Sequence, residues 1–388
     1  MIVSYKTACR SKVVVLWLMV MLFLPILSSS ALATQLFDEM NLVTNNQAAH
    51  SAQITDKNLV NAWGISYGPT TPFWVSDNGT GLTTLYNVNP SSNKTSIASL
   101  SVTIPGDGTP TGQVFNNNIG AFNSDRFLFV SEDGTISGWK SALGTKAETL
   151  KAGSSTNVYK GTTNATINGN SYLYSANFRA GKIDVLKGTT AAPNLTGTFT
   201  DPNLPAGYAP FNIQNLNGKL YVTYAKQDAQ KHDDVAGVGN GIVNVFDTKG
   251  NFIKRVQTGG TLNSPWGLAI APASFGEFAG DLLVGNFGDG RISVFDLNTN
   301  TFVGQLRSNN GNVLSIDGLW GLKVGNNGNA GSSNKLYFSA GPDGETNGLF
   351  GVIQSNSGKS STKVPEPATM FLLSLGLIGL AAFRKRIQ

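Results

Sequence analysis

The sequence predicts an all-β protein, a six-bladed β-propeller with four-stranded blades, and two observations predict it. The first is composition: the 388 residues include 45 glycines and only 13% are charged, whereas helical proteins need more helix-forming residues. The second is repetition, because six units of about 50 residues recur, each with short apolar strands between glycine-bearing turns. Four strands in such a unit fit a propeller blade. A β-helix or a sandwich, the rival architectures, fits it poorly.

The first segment, residues 1–33, has the three parts of a secretory signal peptide. Basic residues precede an apolar run over 13–27, and a small-x-small cleavage site follows at 31–33. An uncleaved membrane anchor is the alternative, but the run is short and contains Pro25. We therefore expect export through the Sec translocon, with the propeller occupying residues 34–354.

The aromatic residue that opens each unit is the clearest sign of the repeat. The steps between these markers are 52, 44, 52, 55 and 54 residues, and the markers are Trp63, Phe115, Tyr159, Phe211, Trp266 and Trp320. A second strand follows each marker, and a third strand opens with glycine and continues with alternating apolar residues. Six such units predict six blades.

The closure of the ring is predicted from the last unit, which has no fourth strand of its own. The segment 40–45, before the first marker, resembles the fourth strands of other units. We expect it to pair into the last blade, where it would cover an otherwise exposed edge.

The far end of the chain is a flexible, serine-rich linker over 355–363 followed by a tail over 364–388. The apolar stretch 368–383 predicts a short transmembrane helix, and the basic cluster after it would stay on the cytoplasmic side. The motif residues on the two sides of this stretch are Val364, Pro365, Glu366 and Pro367, then Arg384, Lys385 and Arg386.

This tail closely resembles the PEP-CTERM sorting signal. The resemblance implies an exosortase as processing partner, membrane anchoring until cleavage, and a Gram-negative host that forms exopolysaccharide or a biofilm matrix. A plain C-terminal anchor is the alternative. The repeat pattern is similar to the NHL/SMP-30-like six-bladed propeller superfamily, and the whole chain resembles a group of PEP-CTERM propeller proteins. The resemblance to this group of PEP-CTERM propeller proteins implies no particular activity.

The formal charge of +5 comes from the two ends, so the body is nearly neutral and no nucleic-acid partner is expected. The one cysteine, Cys9, lies in the leader, which excludes a disulfide from the exported body. The two histidines, His50 and His232, argue against a histidine-rich zinc site.

A ligand site is expected at the mouth of the propeller, where inner strands begin and second strands end. Alignment of the second-to-third-strand turns makes Asp77, Glu132, Asn177, Tyr224, Asn286 and Ala340 equivalent. Asp and Asn are also common turn formers, which is the alternative explanation for them. The predicted ligand-binding residues are Asn61, Asp77, Glu132, Asn177, Arg179, Asn263, Asn286, Asp317 and Asp343.

Four of these residues, Asp77, Glu132, Asn177 and Asn286, offer carboxylate and amide oxygens, which are the ligands that Ca²⁺ prefers. The resemblance to the superfamily's lactonases implies a calcium-dependent hydrolase. However, those enzymes carry a metal-binding Glu near the start of the first blade, and residues 59–63 contain no acid here. No catalytic residue is predicted.

Three functions therefore remain open from the sequence. The first is a non-enzymatic binding module for carbohydrate or protein at the cell surface or in the extracellular matrix, using exposed Trp and Tyr side chains. The second is the calcium-dependent lactonase-type hydrolase, and the third is a structural envelope component. An insertion over 227–239 is either a solvated loop or a binding loop. Whether the mature protein is released or stays attached is also open.

Overall fold

The computed structural model describes residues 35–356. The predicted signal peptide and C-terminal helix lie outside these residues. Within the described range, no helix is long and apolar enough to cross a membrane.

The described chain forms six sheets arranged as blades, and the first two strands belong to the last blade. These two strands are β1 (Phe37–Thr44) and β2 (Ile54–Thr55). Blade 1 contains β3 (Ala62–Ser66), β4 (Phe73–Asp77), β5 (Leu82–Val88), β6 (Thr95–Ile97) and β7 (Val102–Thr103). Blade 2 contains β8 (Pro110–Phe115), β9 (Phe127–Ser131), β10 (Ile136–Trp139) and β11 (Glu148–Lys151). Blade 3 contains β12 (Tyr159–Ile167), β13 (Asn170–Asn177) and β14 (Lys182–Lys187).

The second half of the ring follows the same plan. Blade 4 contains β15 (Tyr208–Leu216), β16 (Lys219–Lys226), β17 (Ile242–Phe246) and β18 (Phe252–Thr258). Blade 5 contains β19 (Pro265–Ile270), β20 (Leu282–Asn286), β21 (Ile292–Asp296) and β22 (Thr301–Gln305). Blade 6 contains β23 (Leu319–Val324), β24 (Leu336–Ala340) and β25 (Leu349–Ser355), with β1 and β2. The short 3-10 helices are Phe122–Ser124, Ser141–Leu143 and Ala273–Phe278.

The predicted all-β, six-bladed propeller is confirmed, and four strands are the basic plan of its blades. Blade 3 departs from the plan with three strands. In blade 1 the outer position is divided between β6 and β7, which both pair with β5.

The predicted closure is also confirmed. Strand β1 pairs antiparallel with β25, from Phe37 opposite Ser355 to Thr44 opposite Leu349. The N-terminal strand therefore completes the last blade, as the missing fourth strand of that unit indicated.

The inner strands share a β-bulge near their first residue, and this bulge defines the register of the blades. It falls after the residue that pairs with the end of the second strand, such as Ala62 opposite Asp77 and Tyr159 opposite Asn177. The bulge residues are Trp63, Thr111, Lys160, Phe211, Trp266 and Trp320. Two of the predicted markers, Phe115 and Tyr159, are therefore wrong, because they do not lie at the bulge position of their blades.

Close approach of neighbouring inner strands explains the glycine that follows several bulge residues. A Cβ on Gly64 would lie 2.6 Å from the Thr111 carbonyl oxygen of blade 2. A Cβ on Gly321 would lie 2.7 Å from the Trp63 carbonyl oxygen, across the closure between blades 6 and 1. A side chain at either position would push two blades apart.

Aromatic bulge residues fill one side of the propeller's centre. Trp63 stacks on Trp320 with ring centroids 3.4 Å apart, and Phe287 stacks on the same indole at 3.9 Å. Trp266 packs edge to face against Trp63, with ring centroids 6.1 Å apart. The three Trp side chains are each 2% exposed, so this cluster is core.

Candidate functional site

The second-strand residue that pairs just before the bulge of each inner strand is buried. The observed register makes Asp77, Ser131, Asn177, Tyr224, Asn286 and Ala340 equivalent, and all six are buried. The sequence alignment of the turns therefore placed Glu132 one residue too early. Side chains alternate along a strand, so this one-residue difference takes Glu132 to the other side of the sheet.

The residue that follows each of these six positions lies at the mouth. In five blades its backbone N–H donates to the carbonyl just before the inner strand, as in Asn78 to Asn61 at 3.0 Å and Glu132 to Thr109 at 3.2 Å. The equivalent residues are Asn78, Glu132, Phe178, Ala225, Phe287 and Gly341. The mouth is thus polar on blades 1 and 2 and mostly apolar on blades 3 to 5.

Lys160, the bulge residue of blade 3, lies at the centre of the polar side. Its ammonium is ion-paired with Glu132 and lies 3.0 Å from Oδ1 of Asp233. The same nitrogen lies 5.2 Å from the centre of the Trp63 ring. The lysine is 2% exposed, so its charge is compensated by these neighbours and not by water.

The charges around Lys160 shift the pKa values of the cluster. Burial acts to lower the pKa of Lys160, but Glu132 and Asp233 outweigh it, and the pKa lies above its ordinary value. Burial acts to raise the pKa of Asp233, but Lys160 and His232 bring it below its ordinary value. Burial raises the pKa of Glu345, which approaches the cluster from blade 6. A positive charge is therefore retained at the centre of the mouth.

The insertion over 227–239 reaches this centre from blade 4. Asp228 accepts a hydrogen bond from the backbone of His232 at 2.8 Å, and His232 Nδ1 lies 2.9 Å from Asp233 Oδ1. Further along, the Gly237 N–H donates to Asn263 of blade 5 at 2.6 Å. The insertion is thus folded over the mouth, and its Asp233 contacts the central lysine.

A polar cavity of about 480 Å³ lies beside this cluster, between blades 2 and 3. Glu132 and His232 border both the cavity and the cluster. The lining residues are Asp107, Glu132, Asp133, Gly153, Ser154, Ser155, Asn157, Val158, Arg179 and His232. Apart from Gly153, only one of these residues, Val158, is apolar.

Two of the predicted mouth residues, Glu132 and Arg179, line this cavity. Asn61 lies next to the central cluster, where its side chain donates to Asn78 at 3.1 Å and accepts from the Trp320 indole at 3.2 Å. Asp317 and Asp343 form part of an exposed turn in blade 6, where Asp343 also pairs with His50 at 2.7 Å.

The side chains of the remaining predicted residues form hydrogen bonds within their own blades. Asn177 donates to Asn157 at 2.9 Å and to Asp184 at 2.8 Å. Asn286 donates to the Thr261 carbonyl at 2.8 Å and accepts from the backbone of Asn263 at 3.2 Å. These contacts are those of turn formers, which was the alternative considered for them.

The four predicted calcium ligands therefore have separate surroundings. Glu132 contacts Lys160, Asn177 and Asn286 are bonded within their turns, and Asp77 is buried. Calcium binding by this set stays a prediction. Among the residues described, the group whose ligand atoms lie within 4.8 Å of one another is Glu132, His232 and Asp233.

Asp77 lies in the interior between blades 1 and 6. Its side chain has no exposed surface, and neither carboxylate oxygen has a well-aligned hydrogen-bond donor within residues 35–356. Burial raises the pKa of Asp77 well above its ordinary value, the charge of Asp56 raises it further, and Thr84 offsets only part of this. Because the pKa rises on folding, Asp77 favours the folded state most below the pKa of an unfolded aspartate. This contribution is lost as the pH rises towards the folded pKa.

Substitution of Asp77 by Asn should therefore stabilise the protein at neutral pH. Each unit of pKa shift corresponds to about 1.4 kcal/mol, so we expect a gain of at least ~1 kcal/mol at pH 7 that shrinks towards pH 4. Urea unfolding at several pH values measures it. The exposed Asp317→Asn substitution is the control and should show no such trend. An Asp77→Asn protein less stable than wild type at pH 7 would contradict the argument.

The sequence did not identify Lys160, Asp233 or Glu345. For Lys160 a signal was present, because Thr111-Gly112 and Lys160-Gly161 match the Trp-Gly pairs of other units when the aromatic requirement is dropped. The marker spacing then becomes 48 to 55 residues, more even than the range of 44 to 55. No comparable signal marks Asp233, which lies in a non-periodic insertion.

The comparisons with known proteins agree with this architecture. Residues 363–386 match the PEP-CTERM protein-sorting motif. Two uncharacterized proteins of Acanthamoeba polyphaga mimivirus are each 32% identical to the chain. One alignment covers 80% of this chain and 78% of the relative, and the other covers 81% and 85%.

Solved structures show a likeness in fold. An α-L-arabinofuranosidase from Fusarium graminearum, in complex with an iminosugar inhibitor, matches with a TM-score of 0.52 and 10% identity, over 81% of this chain and 96% of that chain. A streptogramin B lyase matches with a TM-score of 0.43 and 12% identity, over 83% and 98%.

The fold is that of a β-propeller, and the sorting motif indicates an exported, surface-directed protein and implies processing by an exosortase. The chain belongs to the same family as the two mimivirus proteins.

Proposed function

We propose that the protein is a non-enzymatic carbohydrate-binding propeller of the cell surface or extracellular matrix, and that the cavity between blades 2 and 3 is its binding site. The cavity carries the proposal. Its volume of about 480 Å³ is in the range of small-ligand sites, but its lining is polar where most such sites are apolar. Carboxylate, hydroxyl, amide and guanidinium groups together can accept from and donate to the hydroxyls of a sugar.

The expected binding surface of exposed Trp and Tyr side chains is wrong. Among the described residues, the exposed large apolar side chains include neither Trp nor Tyr, because the Trp residues are in the core. Recognition at this mouth would therefore rely on hydrogen bonds and not on stacking.

A cavity-filling substitution tests the proposal. Ser155 lines the cavity and is exposed, so Ser155→Trp should fold normally and lower the affinity for a bound oligosaccharide at least tenfold. The measurement is calorimetric titration of the propeller, residues 34–354, with oligosaccharides first selected on a panel of neutral and acidic glycans. Ser91→Trp, an exposed serine outside the cavity, is the matched control. Absence of binding by the wild type, or equal binding by Ser155→Trp, would contradict the proposal.

A calcium-dependent lactonase-type hydrolase is the second candidate, favoured by the proximity of Glu132, His232 and Asp233. A calcium ion there would compete with the Lys160 ammonium, which already contacts both carboxylates. Melting in calcium and in chelator separates the candidates: a rise with calcium that is lost in Glu132→Gln favours the hydrolase.

A further inference from the structure

The carboxylates that border the cavity are mostly engaged by the protein itself. Glu132 is ion-paired with Lys160 and accepts from Asn78 at 3.1 Å. Asp133 accepts from the backbone and hydroxyl of Thr135 at 2.8 and 2.7 Å, and from the Asp107 N–H at 3.1 Å. These two acids therefore have little capacity left for a ligand.

Arg179 is the cation of the cavity wall that these acids leave unpaired. Its Nη1 donates to the Ser155 carbonyl at 2.8 Å, and its buried Nε has no hydrogen-bond partner among the residues that the structure describes. Within residues 35–356, no carboxylate lies at ion-pair distance from this guanidinium. Nε is buried, so the donors open to a ligand on the cavity wall are those of Nη2 and the second N–H of Nη1.

The hydrogen bond of Arg179 to the Ser155 carbonyl also fixes the guanidinium. A guanidinium held at one nitrogen loses less side-chain entropy when its other nitrogens bind a ligand. The ligand group that matches two parallel N–H donors is a carboxylate, which accepts them in a bidentate arrangement.

We infer that the cavity takes an acidic sugar, a pyranose that carries a carboxylate, with Arg179 binding that carboxylate. This rests on the proposed function, because it assumes a carbohydrate in the cavity and adds the charge of that carbohydrate. The sugar hydroxyls then face the serine and asparagine side chains of the β11–β12 loop, at Ser154, Ser155 and Asn157.

Two negative charges oppose such a ligand, those of Asp107 and Asp133, because the hydrogen bonds of Asp133 come from neutral donors. Asp107 keeps one carboxylate oxygen free, since its Oδ1 accepts from Thr109 and no donor in the described part of the chain bonds to its Oδ2. Glu132 repels the ligand less, because the Lys160 ammonium compensates its charge. Removal of the Asp107 charge should therefore strengthen binding of an acidic sugar and leave binding of a neutral one unchanged.

Oligogalacturonates and their methyl esters are the matched probes, because esterification removes the charge and keeps the sugar. Calorimetric titration of wild type should give an affinity for the acid at least roughly tenfold above that for the ester, as charge-assisted pairs predict. Arg179→Met should lose most of this preference, and Arg179→Lys should recover only part of it. Asp107→Asn should bind the acid a few-fold more tightly.

The control variant is Arg291→Met, an exposed arginine on the corresponding turn of blade 5 and outside the cavity. It makes the same change in net charge and should keep the wild-type preference for the acid. If wild type binds acid and ester equally, or if Arg291→Met and Arg179→Met lose the preference to the same extent, the inference is wrong. Ester binding that Ser155→Trp abolishes would still support the proposed function. If no glycan of the panel binds, the proposed function fails as well.

Discussion

Deletion of residues 34–44 should destabilise the whole propeller, and this is the largest effect that we expect. The deletion removes β1 and leaves β25 as an uncovered edge. It also removes Phe37, Leu42 and Val43, all fully buried. At about 1.5–3 kcal/mol for each buried side chain, the loss is at least ~5 kcal/mol, comparable with the entire stability of many domains. Thermal unfolding should show a large drop in melting temperature or no cooperative transition.

Two point substitutions on β1 give the matched comparison. Phe37 packs against Phe275 and Phe278 in blade 5, with ring centroids 4.7 and 6.3 Å apart. Phe37→Ala should therefore lower the free energy of unfolding by about 3–5 kcal/mol. Met40 is 39% exposed on the same strand, and Met40→Ala should be nearly neutral. A truncated protein that melts at the wild-type temperature would show that β1 does not close the ring.

Replacement of Lys160 by Met should cost about 3 kcal/mol of unfolding free energy. The substitution keeps the volume of the side chain but leaves Glu132, which is 13% exposed, without its counter-ion. Removing one partner of a buried ion pair costs about 3–5 kcal/mol. We expect the lower value, because Asp233 is 65% exposed and water can solvate it once Lys160 is gone. Burial acts to raise the pKa of Asp233, but Lys160 and His232 bring it below its ordinary value, so the difference from wild type should shrink as the pH falls through that pKa.

The double substitution Lys160→Met/Glu132→Gln should recover part of the lost stability, because no buried charge then remains unpaired. Lys182→Met is the control, since Lys182 is 61% exposed in its pair with Asp184 and should contribute little. Equal stabilities of Lys160→Met and Lys182→Met would contradict a structural role for the central ion pair.

The fold could be predicted because its signals are local. Alternating apolar residues, glycine-bearing turns and the missing fourth strand of the last unit each reflect the geometry of one blade. Even the pairing of β1 with β25, over 300 residues apart in sequence, followed from the count of strands. Blades 2 and 3 were misaligned because Thr111 and Lys160 replace the aromatic residue that marks the other bulges.

The candidate site was predicted only in part, and the reason is geometric. Five of the six aligned turn residues occupy equivalent positions, and the sixth position is Ser131 and not Glu132. The mouth is lined by the residue that follows each of these positions. Asp77 was therefore expected at the mouth but lies between blades 1 and 6. Glu132 does lie at the mouth, although the alignment that selected it was one residue off. The contact of Asp233 with Lys160 links residues 73 positions apart and depends on the path of a non-periodic loop.

The stacked rings of Trp63, Trp320 and Phe287 have an optical consequence. Two indoles with centroids 3.4 Å apart couple their electronic transitions, and the ammonium of Lys160 lies 5.2 Å from one of them. Near-ultraviolet circular dichroism and tryptophan emission therefore contain a contribution from the centre of the ring, beside that of Trp74 and Trp139. A ligand that displaces Asp233 or shifts Lys160 would change that emission, so the propeller carries its own spectroscopic probe beside the candidate site.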